Sequence, residues 1–104
     1  MDTIILPEKA QGETLPFVVS FADRLQYGEA INGVSVQVAV LSGTDPTPSN
    51  MLASAATFTS TNVTQVITGG VAGATYMIVF VVTGTASHNY IKEGRLVVTQ
   101  AGVQ

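Results

Sequence analysis

Apolar and polar positions alternate along most of the chain with a period of two, the spacing at which successive side chains of an extended strand fall on opposite faces. Residues 34–41 give the cleanest signal. Val34, Val36, Val38 and Val40 point one way and Ser35, Gln37, Ala39 and Leu41 the other, which predicts a half-buried strand. Over residues 14–22, Leu15, Phe17, Val19 and Phe21 form a core face, opposite Pro16, Val18 and Ser20. Residues 76–82 are apolar on both faces, with Tyr76, Ile78, Phe80 and Val82 on one and Met77, Val79 and Val81 on the other. Such a strand has to be covered on both sides. Weaker signals predict strands at residues 55–59 around Phe58, at 63–68, and at 90–99 with Leu96 and Val98 in the core. A further one at 3–6 is stopped by Pro7 and so belongs at a sheet edge. Leu25 and Ile31 are expected to plug one end of the core.

The breaks between these segments are polar or turn-forming: residues 8–13, the turn around Gly28, the Pro- and Gly-containing stretch 42–50, the Gly-rich corner 69–73, and the loop 84–89. Strands at intervals of roughly 8 to 15 residues predict an all-β chain forming one two-sheet sandwich over residues 1–104. In immunoglobulin-like sandwiches a Tyr near the start of the sixth strand returns its hydroxyl to upstream backbone, and Gly73-Ala74-Thr75-Tyr76 has that form. A core Tyr without that bond is the alternative. Val19 and Ile78 fall where antibody domains place their paired cysteines, so apolar contact would do the stapling. The predicted fold is therefore a single immunoglobulin-like antiparallel β-sandwich of about seven strands.

Composition sharpens this picture. Only 11% of the 104 residues are charged while 46% are hydrophobic. That is too few charges for a disordered segment or a coiled coil. A mean hydropathy of +0.39 points to a surface with much area against other subunits. A weakly charged sandwich coated with Thr and Ser is the alternative. The net charge of -3 has the wrong sign for neutralising phosphates, so no nucleic-acid partner is expected. The longest wholly apolar run, residues 76–82, is far shorter than the roughly 20 residues of a membrane-spanning helix. Residues 1–7 lack a basic and an apolar signal region, and export is not expected. Without cysteine there is neither a disulfide framework nor a thiolate metal site.

Candidate chemistry is sparse. The one imidazole, His88, lies in a Ser-His-Asn loop where adjacent side chains diverge, and reads as a solvated loop residue. The carboxylates Asp2, Glu8, Glu13, Asp23, Glu29, Asp45 and Glu93 are scattered without a metal-loop spacing. Glu13 and Asp23 sit at opposite ends of one strand, too far apart for paired-acid hydrolysis. The Gly-rich segment 69–73 opens a strand with no following Lys, so it is a corner and no phosphate cradle. Asp23-Arg24 offers one half of an inter-subunit ion pair. No enzyme, cofactor or metal is expected. What remains is an apolar outer patch built from Met77, Val79 and Val81, with Ala39, Leu41 and Val97 added by neighbouring strands. It is a candidate interface, unless loop 43–52 of the same chain folds over it.

The segments Leu6-Pro7-Glu8-Lys9, Gly12-Glu13-Thr14-Leu15-Pro16, Phe21-Ala22-Asp23-Arg24-Leu25, Gly28-Glu29-Ala30-Ile31, Ser42-Gly43-Thr44-Asp45-Pro46, Val63-Thr64-Gln65 and Thr68-Gly69-Gly70-Val71-Ala72-Gly73-Ala74-Thr75-Tyr76, in that order, resemble small Ig-like structural proteins of tailed bacteriophages, of the fibre-tail adaptor or neck type. The resemblance implies a multi-copy virion component. It would be assembled in the host bacterial cytoplasm, form a homo-oligomer within the virion, and join other tail, neck, fibre or capsid proteins. Capsid decoration and a host-surface or glycan-binding module are the alternative functions. The charged run His88-Asn89-Tyr90-Ile91-Lys92-Glu93-Gly94-Arg95 departs from the family pattern and leaves the pairing of the last strand open.

Overall fold

A computed structural model describes residues 8–99, together with the backbone of Asp2–Ile5. Among these residues the strands are β1 (Asp2–Ile5), β2 (Lys9–Ala10), β3 (Thr14–Ser20), β4 (Ile31–Ser42), β5 (Thr57–Phe58), β6 (Asn62–Thr68), β7 (Thr75–Gly84) and β8 (Asn89–Thr99), with a short 3-10 turn at Pro48–Met51. They form two sheets. The larger runs β4–β7–β8, with β1 and β2 both against the far side of β8; the smaller runs β3–β6–β5. The chain is all-β, as its alternation predicts.

The strand apolar on both faces, β7, lies between β4 and β8 in the middle of the larger sheet. Its inward residues Tyr76, Ile78, Phe80 and Val82 are fully buried. They pack in one core with Phe17, Val19 and Phe21 from β3 and the residue after it, Val63 and Ile67 from β6, and Leu96 and Val98 from β8. Val34, Val36, Val38 and Val40 face the same core but stay half-buried, because β4 is an edge strand with only β7 beside it. Ile31 is buried and Leu25 packs against the core, as expected of end plugs.

Three features differ from the sequence-based expectation. The expected antiparallel pattern fails at one edge, where β1 and β2 both run parallel to β8. The stretch 8–13, expected as a polar break, contains β2. The strand expected at 55–59 shortens to two residues, both exposed. The predicted end of the first strand at Leu6 lies outside the described residues. Loop 43–52 does not fold over the outer face of the larger sheet. It carries Met51 into the core and bridges Leu52 to Ile67 of β6, closing the gap between the sheets.

Candidate interaction face

On β7 the residues between the core positions, Met77, Val79 and Val81, point to the outer face and are half-buried by their neighbours. The register sets Ala39, Gln37 and Ser35 of β4 opposite Met77, Val79 and Val81 on one side. On the other side Arg95, Glu93 and Ile91 of β8 stand opposite the same three residues. The result is an apolar ridge with short or uncharged side chains along one flank and one charge of each sign along the other. Of the candidate residues, Met77, Val79, Val81 and Ala39 come together here, and Val97 lies at one end of the face opposite Thr75. Leu41 falls in a register irregularity without a β7 partner and is 48% exposed. Ile91, absent from the sequence-derived patch, extends the ridge beside Val81. Its parity with Val97 on β8 is the signal in the sequence, hidden by the charges around it.

The outer face of the smaller sheet is coated differently. Thr14, Pro16, Val18 and Ser20 pair there with Thr68, Val66, Thr64 and Asn62, and Thr14 and Thr68 share a hydroxyl–hydroxyl bond of 2.8 Å. Threonine methyls and hydroxyls suit a strand surface that stays in water.

Polar residues at both ends of the sandwich are used by the fold itself. At one end the Val71 N–H donates to the Tyr76 hydroxyl at 2.8 Å, and that hydroxyl donates to Asp45 Oδ2 at 2.9 Å. Burial pushes the Tyr76 hydroxyl up from its ordinary pKa. Beside it lies a hollow of about 220 Å³ lined by Asp45, Thr47, Asn50, Met51, Gly69, Gly70 and Val71. Gly70 has φ +92°, and a Cβ there would meet Val98 Cγ2 at 3.0 Å and Met51 Cε at 3.1 Å, so only glycine turns this corner without strain. Next to it the buried Lys9 donates to the carbonyls of Gly69 and Ala10 at 2.7 and 3.0 Å. Desolvation lowers its ammonium pKa, partly opposed by Glu13.

At the other end Glu29 accepts from Tyr90 Oη at 2.7 Å and from the N–H groups of Gln26 and Ala86 at 3.0 and 3.3 Å. These bonds, the one from Tyr90 first, hold its carboxyl below the ordinary carboxylate value. His88 Nδ1 lies 3.5 Å from the same carboxylate. Lys92 reaches inward from β8 to Ser20 O and Asp23 Oδ1, both at 2.7 Å, with its ammonium 5.4 Å from the Phe21 ring centre. Asp23, expected to reach toward another subunit, is therefore paired within the chain. Tyr90 is likewise engaged with Glu29, which leaves Tyr27 as the fully exposed ring among the described residues.

Among the described residues no group of three or more acidic or imidazole side chains is placed to hold a metal ion, and no helix is long and apolar enough to cross a membrane. The geometry defines a small two-sheet β domain whose polar ends are tied internally and whose larger sheet carries an apolar outer ridge. The family model described as podophage GP4 fiber-tail adaptor protein gp77 matches residues 9–99, from β2 to the end of β8, and the chain belongs to that family. It is a phage fibre-tail adaptor protein, in keeping with the resemblance carried by its turns and strand starts. Membership implies a virion component that interacts with other tail or fibre proteins, and it suggests a structural role over an enzymatic one. No curated protein matches the chain.

Proposed function

We propose that the chain is a non-enzymatic adaptor present in several copies in the tail or neck region. It is an immunoglobulin-like sandwich that joins tail, neck or fibre components through the outer face of its larger sheet. The observation that carries this reading is the contrast between the two outer faces: Met77, Val79 and Val81 run unbroken beside Ala39 on one, whereas on the other Val18 and Val66 are interspersed with Thr14, Thr64, Thr68, Ser20 and Asn62. At about 25 cal/mol per Å² of apolar surface, a few hundred Å² removed from water by a partner would contribute several kcal/mol. The partners are proteins, because a net charge of -3 opposes binding to phosphate backbones. Assembly takes place in the cytoplasm of the infected cell, with which a chain free of cysteine is compatible.

The immunoglobulin-like assignment draws support from two features. The antiparallel β4–β7–β8 sheet faces an antiparallel β3–β6–β5 sheet. The Tyr76 hydroxyl, at the start of β7, takes the backbone N–H of a residue five positions upstream, as a tyrosine corner does.

The test compares Val79→Lys with Val18→Lys. Val18 is 60% exposed on the outer face of the smaller sheet. Both variants are expected to fold, as read by circular dichroism. Val79→Lys is expected to be lost from assembled tails and Val18→Lys to be retained. Equal incorporation of the two would overturn the proposed face.

A further inference from the structure

Sheet edges need protection from other chains, and proteins supply it with short strands, proline, charge or bulges. Three edges of this molecule carry such devices. The β1 and β2 edge is divided into pieces of four and two residues, β3 contains Pro16, and β5 is two residues long. The remaining edge, β4, runs for twelve residues without a proline or a charged side chain. Its register irregularities lie at the two ends, so Gly33–Val40 is a regular, uninterrupted edge. In an antiparallel strand alternate residues turn N–H and C=O toward each side, so about four residues of this stretch present theirs away from β7. Among the described residues, the loop hydrogen bond made by this strand is that of the Ile31 N–H to Ser60 O, which lies outside the regular stretch.

We infer that β4 pairs with β4 of a second copy of this chain, antiparallel, about a two-fold axis at Gln37. The sequence Val34-Ser35-Val36-Gln37-Val38-Ala39-Val40 reads nearly the same in both directions about that residue. The two-fold sets Val34 against Val40 and Val36 against Val38 on the core side. On the outer side it sets Ser35 against Ala39, and Gln37 against its own copy. Aliphatic pairs stand opposite aliphatic pairs, small residues opposite small ones, and two amides that can donate to and accept from each other meet at the axis. Electrostatics favours the same location. Two copies each carrying a net charge of -3 repel, and this uncharged strand lets their backbones approach without setting like charges opposite each other. Pairing also joins the outer ridges of the two copies into one sheet face. The inference is independent of whether that ridge is the docking surface for tail or fibre proteins.

Because the native chain has no cysteine, single-cysteine variants of the full chain read the register directly. Gln37, Ser35 and Ala39 are exposed, so their substitution leaves the core intact. Under mild oxidation Gln37→Cys is expected to form disulfide-linked dimers by itself. Ser35→Cys is expected to link only when mixed with Ala39→Cys, because two copies of residue 35 would stand about 13 Å apart along the strands, beyond the roughly 7 Å that a disulfide tolerates between Cα atoms. Thr64→Cys, on the outer face of the smaller sheet, is expected not to link. Light scattering of the native chain is expected to give twice the 10.8 kDa chain mass at micromolar concentration. A mass of one chain at every concentration would overturn the inference and leave this edge to a strand from another protein. A mass that climbs past two copies, or Ser35→Cys linking to itself as readily as to Ala39→Cys, would also overturn it.

Discussion

Glu29 has its side chain only 2% exposed, yet its carboxylate collects a phenol, two backbone N–H groups and a nearby imidazole. The site exists because residue 84 has no side chain. A Cβ on Gly84 would stand 2.6 Å from Glu29 Cδ. Gly84→Ala is therefore expected to expel the carboxylate and destabilise the fold by about 1–3 kcal/mol, the usual cost of overpacking, measured by urea denaturation. Glu29 and Asp23 also set an acid limit. Hydrogen bonds, from Tyr90 and Lys92 first, lower both folded pKa values from the ordinary 4.5 and 3.8. The folded state thus binds these protons less tightly than the unfolded chain. The resulting stability is complete above the ordinary values and is lost as pH falls through the depressed ones. The denaturation midpoint is expected to drop on acidification below about 4.5, and Glu29→Gln is expected to flatten part of that drop; a drop unchanged in Glu29→Gln would contradict the assignment. None of this is legible in the sequence. Alternation counts apolar positions, and the inward-facing Lys9, Gln65 and Lys92 carry no apolar signal although each is buried. Lys92 belongs to the charged run that leaves the last strand's pairing open in the sequence, whereas its ammonium ties β8 to the end of β3.

At the level of elements, the strands most legible in the sequence are those whose faces differ most in polarity or are both apolar. β3 and β4 alternate, broken by Val18 on the first and by Ala39 and Leu41 on the second, and β7 is apolar on both faces because it is central to the larger sheet with an apolar ridge behind it. Where a strand is defined by its partner and not by its own side chains, the sequence carries little warning. β2 is held by parallel pairing of Lys9 and Ala10 with Val98 and Thr99, and two residues are too few to show a period. Met51 enters the core from a turn that follows Pro46 and begins at Pro48, a context that reads only as exposed loop. The Tyr76 corner is legible from its local pattern, but its second partner, Asp45, lies 31 positions away and is not. Tyr76→Phe removes both bonds while keeping the ring. It is expected to cost about 1 kcal/mol and to loosen the 42–50 and 69–73 segments together. Hydrogen exchange that rises in both segments would support the corner as a two-loop tie, and a change confined to one would contradict it.

For the whole molecule, the two sheets share one core but present unlike outer surfaces. That difference follows from the outer positions of β7, all apolar over Met77, Val79 and Val81, against those of β3 and β6, where Val18 and Val66 are interspersed with threonine, serine and asparagine. Strand period alone puts Met77, Val79 and Val81 together on one face of their strand and Ala39 on the face of its own strand opposite Val38 and Val40, and the pairing of β4 with β7 makes these one surface. The parity of Ile91 with Val97 is in the sequence, but its place beside Val81 comes from the β7–β8 register, and the closure of the core by loop 43–52 comes from the packing of the two sheets. Methionine oxidation followed by mass spectrometry tests the central claim most directly, because Met77 lies on the outer ridge and Met51 is buried in the core. In the free chain Met77 is expected to oxidise well ahead of Met51, and in assembled tails Met77 is expected to become protected. Oxidation of Met77 at the same rate in free and assembled protein would contradict the assignment of this face to the adaptor's partners.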